Sequence, residues 1–299
     1  MNEPKDARLS QVQDEGFWRA LCPDLTISDH PFAPAAEAFP IDAAQLEKAK
    51  QQIVEEGYFA IPELIPRTIT QTISKAVSTL ERENLPTPFA MIYDEIWRVL
   101  SRLSNVLTPI LGENYRVVPD CWLWRVEGEN QGWSPHRDHE VRRVCIRDDG
   151  RPLLLTVWIP FTDVTTEHSC IYVLPTNRDP RLRAKTAGHE IDRESQQNVR
   201  ALPAAAGSVL GWNQYAMHWG SRGSKWATGP RISVGIYFQS DTKPFRVTTI
   251  DLNDGLSFSE RLGMIGWMIS KYPRYVDCSD ELRQFCREVG LRHQDGRPG

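Results

Sequence analysis

The chain has 299 residues, of which 40% are hydrophobic and 25% charged, and its formal net charge is −4. That length holds one large domain or two small ones, with the balance of an ordinary soluble globular protein. It lacks the basic footprint of a general nucleic-acid binder, and no apolar run approaches the roughly 20 residues that span a bilayer.

Residues 1–40 read as an irregular N-terminal segment punctuated by Pro23, Pro31, Pro34 and Pro40, with a hint of helix only at 15–21. A helix is predicted from Asp42, a suitable N-cap, with Leu46, Ala49, Ile53 and Val54 at helical spacing and Gly57 as its stop. Tyr58–Ile61 reads as a short strand. Further helices are predicted over 66–83 and over 89–111. From residue 115 the period falls to about two, and strands are predicted at 117–118, 121–126, 153–159, 169–174, 208–212, 216–219 and 231–239. The stretch 176–198 is polar and irregular, a candidate lid. Two helices, 257–271 and 279–289, close the chain. Helices followed by strands without βα alternation predict a mainly β fold with flanking α. A sandwich or jelly-roll core fits better than a Rossmann sheet.

The polar start of the chain lacks the apolar core of a secretory signal, and the six cysteines show no C-x-x-C spacing. Reduced thiols and a cytoplasmic location are therefore expected, with no membrane or nucleic-acid partner.

The chemistry concentrates around His136-Arg137-Asp138. In extended backbone residues i and i+2 share a face, so one short segment can offer an imidazole nitrogen and a carboxylate oxygen to a single ion. His218 is the best candidate for a third ligand. Two histidines and a carboxylate on one side of a metal form the set associated with non-haem Fe(II) oxygenases. On the strand at 231–239, Arg231 and Ser233 share one face, while Ile232, Val234 and Ile236 form the other. A guanidinium in an apolar β core needs a carboxylate. Where the chain offers none, a ligand carboxylate can take that place through a bidentate pair, with Ser233 adding a hydrogen bond. Arg137, His139 and Arg142 are candidate substrate contacts, and Arg222 is a rival to Arg231. Six tryptophans, 122, 124, 133, 158, 212 and 219, are expected near the site.

These fragments, in this order, resemble the phytanoyl-CoA dioxygenase (PhyH) family of Fe(II)/2-oxoglutarate oxygenases. The resemblance runs from about Gln45 to Gln239. It rests on Glu56-Gly57-Tyr58-Phe59, His136-Arg137-Asp138, Val157-Trp158-Ile159-Pro160, Tyr172-Val173-Leu174-Pro175, Ala206-Gly207-Ser208, His218 and Arg231-Ile232-Ser233. It implies a double-stranded β-helix over 41–250, with 251–299 as a helical extension of the same domain. It also implies Fe(II) on His136, Asp138 and His218, 2-oxoglutarate and O₂ as cosubstrates, Arg231 on the distal carboxylate, and Trp158 in the cosubstrate pocket. The expected reaction is hydroxylation of a small molecule, with desaturation or ring closure open to the same site. Two other readings remain: a cupin-like isomerase or lyase, and a non-catalytic ligand-binding jelly roll. The family usually has a glycine where this chain has Ser169, so a different turn is expected there.

Overall fold

A computed structural model describes residues 5–29, 37–130, 132–139, 144–185, 188–241 and 249–295. The first 40 residues are not irregular throughout. Helix α1 (Lys5–Gln13) leads into α2 (Glu15–Leu21), whose N-cap is Asp14. The fully buried Trp18 donates its indole N–H to the Val12 carbonyl at 2.9 Å. Val12 of α1 is itself fully buried in the large core, and this packing holds a helix that the local pattern does not announce.

Helix α3 (Ala43–Glu55) starts where predicted, with the Asp42 carboxylate accepting from the amides of Ala44 and Gln45. Such a cap contributes about 1 kcal/mol. Gly57, at φ +80°, turns the chain into β1 (Tyr58–Ile61), and α4 (Arg67–Arg82) follows. The single helix expected over 89–111 is broken instead. It becomes a 3₁₀ turn (Thr87–Ile92), α5 (Asp94–Ser101) and α6 (Ser104–Leu111). Tyr93 is extended at the first break because its neighbours are claimed by distant groups. Its hydroxyl donates to the Trp18 carbonyl, and the fully buried Asp94 pairs with Arg261.

The strands are β2 (Arg116–Val126), β3 (Leu154–Pro160) and β4 (Ile171–Leu174). Short helices α7 (Pro180–Arg183) and α8 (Arg193–Gln196) interrupt the polar stretch that follows. Next come β5 (Arg200–Leu202), which the sequence pattern did not signal, β6 (Val209–Asn213), β7 (Met217–Gly220) and β8 (Arg231–Gln239). Helices α9 (Phe258–Lys271) and α10 (Asp280–Asp295) close the fold, the latter longer than predicted. Ser257 and Glu260 form a reciprocal cap at the start of α9.

The strands form two antiparallel sheets, ordered β1-β6-β3-β8-β2 and β5-β4-β7, the jelly-roll arrangement without a closed barrel. Alternation assigns the faces. Phe59, Val157, Val209, Ile232, Val234 and Ile236 join the helices in the larger apolar core. Tyr58, Trp158, Leu210 and Trp212 face the second sheet, packing with Cys170, Ile171 and Val173. Each fully buried Val, Ile or Phe contributes roughly 1.5–3 kcal/mol. The functional side chains lie on the inner face, between the sheets. Among the described residues no helix is long and apolar enough to cross a membrane.

Candidate metal centre

His136 does not sit at the end of a regular strand. It makes an isolated antiparallel bridge to His218: each residue's amide donates to the other's carbonyl, at 3.0 and 2.9 Å. This one bridge brings together ligands far apart in sequence and sets the two imidazoles at a tilt of 54°, with ring centroids 4.4 Å apart. Asp138 Oδ1 lies 3.9 Å from His136 Nε2 and 3.7 Å from His218 Nε2. One donor atom from each residue lies within 4.8 Å of the other two, so the three side chains can hold one ion.

Local hydrogen bonds prepare the ligands. His136 Nδ1 lies 2.8 Å from the Ser134 carbonyl, and His218 Nδ1 lies 3.1 Å from the Ala216 carbonyl. A carbonyl only accepts, so each Nδ1 carries the proton and each Nε2 presents a lone pair inward. Burial pushes His218 down to about 4, outweighing the neighbouring carboxylate, and keeps it neutral at pH 7. Burial works to raise the Asp138 carboxyl, but the two imidazoles and the hydrogen bonds from Thr156 and Trp212 outweigh it, and the group lies below its usual value. The site opens on the His136 side: that side chain is 39% exposed, against 6% for Asp138 and His218.

The Asp138 carboxylate sits across three adjacent strands. Its Oδ2 accepts from Thr156 Oγ1 at 2.7 Å on β3 and Trp212 Nε1 at 3.1 Å on β6, and its Oδ1 accepts from Tyr237 OH at 3.2 Å on β8. Thr156 is the register partner of both Trp212 and Tyr237. One cross-strand row therefore supplies all three donors, and Gln214 Nε2 holds the Thr156 hydroxyl from behind at 3.0 Å. Sequence reasoning placed Trp212 near the site but missed the roles of Thr156 and Tyr237. The signal was the shared inward parity of these strands, which acts only once the register is known. Tyr237→Phe is expected to keep the fold and lower metal affinity about tenfold, the low end for losing a residue that orients a ligand. Metal titration of the purified variant checks this.

Three inner-face positions further along β8, past Gly235 and Ser233, comes Arg231. It is 2% exposed and makes no ion pair among the described residues. Its Nη1 donates to the carbonyl of Ser169 and to its hydroxyl, the latter at 3.2 Å. Nε has no partner, and neither has the fully buried Ser233 hydroxyl. The rings of Trp133 and Trp158 lie 5.3 and 5.9 Å from the guanidinium carbon. Burial lowers Arg231 to about 10, so it remains charged at pH 7. A paired face towards Ser169 and an unpaired Nε beside an unpaired hydroxyl suit an incoming carboxylate. Gly235 leaves room between Arg231 and the metal row, since a Cβ there would meet Trp122 and Trp158 only at 4.0 Å.

Other expected residues fall elsewhere. Arg137 is buried and turns from the open side, pairing with Asp179 at 2.6 Å and donating to the Tyr215 carbonyl. Asp179 caps α7, so Arg137 fastens the 176–185 segment to the metal tripeptide instead of reaching a substrate. The His139 amide donates to the Gln214 carbonyl, and Arg142 lies outside the described residues. Arg222 donates to the Glu129 carbonyl and is no rival for the anchor. Trp219 faces away, stacked on Tyr172. On the inner face of β2, Trp122 and Trp124 stack at 4.9 Å, and Tyr272 and Tyr275 from the α9–α10 connection pack on them. Sequence analysis had not assigned these two tyrosines to the site.

Residues 101–225 match the family model of phytanoyl-CoA dioxygenase (PhyH). Over that span the chain is similar to the PhyH family. The matched span contains the three metal-ligand candidates and ends before Arg231. No curated protein sequence matches the chain. Among solved structures, the chain resembles the non-haem alpha-ketoglutarate-dependent epimerase SnoN from nogalamycin biosynthesis. The two share 16% identity at a TM-score of 0.53, covering 67% of this chain and 84% of that one. It also resembles HygX from Streptomyces hygroscopicus, solved with nickel and 2-oxoglutarate bound, at 15% identity and TM-score 0.52, covering 73% and 96%. AviO1 from Streptomyces viridochromogenes Tue57 follows at 12% and 0.51, covering 69% and 99%. At these identities the likeness establishes the fold.

Proposed function

We propose that this protein is an Fe(II)- and 2-oxoglutarate-dependent dioxygenase that hydroxylates a small-molecule substrate, releasing succinate and CO₂. One observation carries the reading. The His136–Asp138–His218 cluster shares its inner sheet face with a buried arginine that has no carboxylate partner among the described residues. The donor set suits iron: two imidazoles and one carboxylate on one side, leaving the opposite positions open. When bound, iron and 2-oxoglutarate supply the oxidising power for attack on a C–H bond. The chain's own residues do the remaining work. His136, Asp138 and His218 hold the ion, with Thr156, Trp212 and Tyr237 fixing the carboxylate. Arg231 and Ser233 take the distal carboxylate of 2-oxoglutarate, and Trp158 lines that pocket. HygX, with 2-oxoglutarate and a metal in its structure, supports this assignment by analogy of fold. SnoN, an epimerase, is a reminder that the same architecture serves other outcomes. The unpaired cysteines fit a reducing compartment, and a cytoplasmic location belongs to the same reading.

Arg231→Ala provides the test. It is expected to weaken 2-oxoglutarate binding by about a hundredfold, since a charge-assisted bidentate pair is lost, while metal binding stays intact. Calorimetry on the metal-loaded protein and succinate release measure the two quantities. Unchanged 2-oxoglutarate affinity, or full metal-dependent turnover without 2-oxoglutarate, would favour the isomerase or lyase reading.

A further inference from the structure

We propose that Ser169 is the positioning residue for the cosubstrate anchor, its hydroxyl holding one edge of the Arg231 guanidinium so that the other edge meets the distal carboxylate of 2-oxoglutarate. This deepens the function proposed above and rests on it.

Ser169 is fully buried and lies in the left-handed region, at φ +59° and ψ 48°. A glycine occupies that conformation without penalty, whereas a residue with a Cβ is disfavoured there. The turn is thus one a glycine would adopt. What the serine adds is its hydroxyl, which donates to the Ser221 carbonyl and accepts from Arg231 Nη1. Its backbone carbonyl accepts from the same Nη1. Two acceptors on one nitrogen fix the rotation of a planar guanidinium whose Nε is left unpaired.

The neighbourhood leaves Arg231 little freedom on that side. A Cβ on Gly220 would stand 3.2 Å from Arg231 Nη1, 3.2 Å from the Trp133 ring and 3.4 Å from Ser169 Oγ. Gly220 is the register partner of Ile171, two residues beyond Ser169, so the adjoining ends of β4 and β7 close on Nη1 together. The indoles of Trp133 and Trp158 cover the guanidinium without offering acceptors. Ser169 therefore supplies both acceptors of Arg231 Nη1.

The test compares Ser169→Gly with Ser169→Ala. Both remove the hydroxyl and keep the carbonyl, but they shift stability in opposite directions: glycine relieves the left-handed backbone and alanine does not. 2-Oxoglutarate is titrated into the Fe(II)-loaded protein without oxygen, read by calorimetry and by emission of the tryptophans beside Arg231. Tm is measured in parallel. Both variants are expected to bind 2-oxoglutarate about tenfold more weakly, the loss of one hydrogen bond to a charged group. The glycine variant should melt at or above wild type and the alanine variant below it. 2-Oxobutanoate, which lacks the distal carboxylate, should bind equally to all three. A glycine variant that binds 2-oxoglutarate as wild type does overturns the proposal, as does an equal loss for 2-oxobutanoate. Arg231→Lys separates the two levels. If it binds 2-oxoglutarate normally, the anchor assignment itself fails. If it binds weakly while both Ser169 variants bind normally, only the role of Ser169 is lost.

Discussion

Asp138→Ala is expected to strip the protein of stoichiometric metal and abolish 2-oxoglutarate turnover. Asp138 is the only carboxylate in the candidate ligand set and touches both imidazoles' Nε2 at 3.7–3.9 Å. Removing a residue that merely orients a ligand lowers metal affinity 10–100-fold, so losing the ligand itself should cost at least about a hundredfold. The substitution also leaves the hydroxyls of Thr156 and Tyr237 and the Trp212 N–H without their shared acceptor. Each unsatisfied buried donor costs about 1–3 kcal/mol, so Tm should fall as well. Elemental analysis after dialysis and succinate release read out the first effect, and thermal melting the second. Full metal content with undiminished turnover in the variant would remove Asp138 from the site. Asp138→Asn should separate charge from shape, keeping an oxygen acceptor for the row of donors while weakening the metal.

The largest effect on stability is expected at Arg261→Ala, far from the metal. Arg261 and Asp94 are both fully buried and pair at 2.6 Å. The same guanidinium donates to the carbonyls of Leu256, Ile92 and Ser28. Asp94 in turn accepts from the Ser28 amide and hydroxyl and from Thr26. The cluster fastens the N-terminal segment, the start of α5 and α9 to one another. Burial lowers the arginine's affinity for its proton, and the Asp94 carboxylate opposes that shift. Truncating the arginine leaves the buried carboxylate with only the half-exposed Arg98, 3.1 Å away, as a counter-charge, at a cost of up to about 3–5 kcal/mol, a large part of the roughly 5–15 kcal/mol that holds a domain folded. Urea unfolding checks this. Replacing both members, Asp94→Leu with Arg261→Met, should recover much of the loss because no buried charge remains unpaired. A double variant no more stable than Arg261→Ala would show that the carbonyl contacts, not the ion pair, carry the cluster.

Much of the fold was legible because short-range rules decide it. Asp42 caps α3, Gly57 ends it, Ser257 caps α9, and alternation of Ile232, Val234 and Ile236 with Arg231 and Ser233 marks β8 as two-faced. The failures occur where distant groups overrule local propensity. A continuous helix through Tyr93 fits the apolar spacing, but the pairing of Asp94 with Arg261 is invisible in either segment alone. Helix α1 is held by Val12 packing into the large core, and β5 pairs with the edge that β4 offers.

The candidate centre divides the same way. His136, Asp138, His218, Arg231 and Ser233 were named from residue chemistry, since few side chains bind a metal or a carboxylate and their spacing limits how they meet. Arg137 was misjudged because its neighbours suggested an exposed charge, whereas Asp179 lay waiting across the fold. What the sequence by itself determined is which chemical groups this protein has and which face of its own strand each one occupies. Only the tertiary structure decided which strands lie side by side, and hence that Trp212, Thr156 and Tyr237 form one row beneath Asp138 and that Ser169 meets Arg231. The reason is physical: alternation is a property of one backbone, while register and pairing are set by the packing of two sheets and the helices around them.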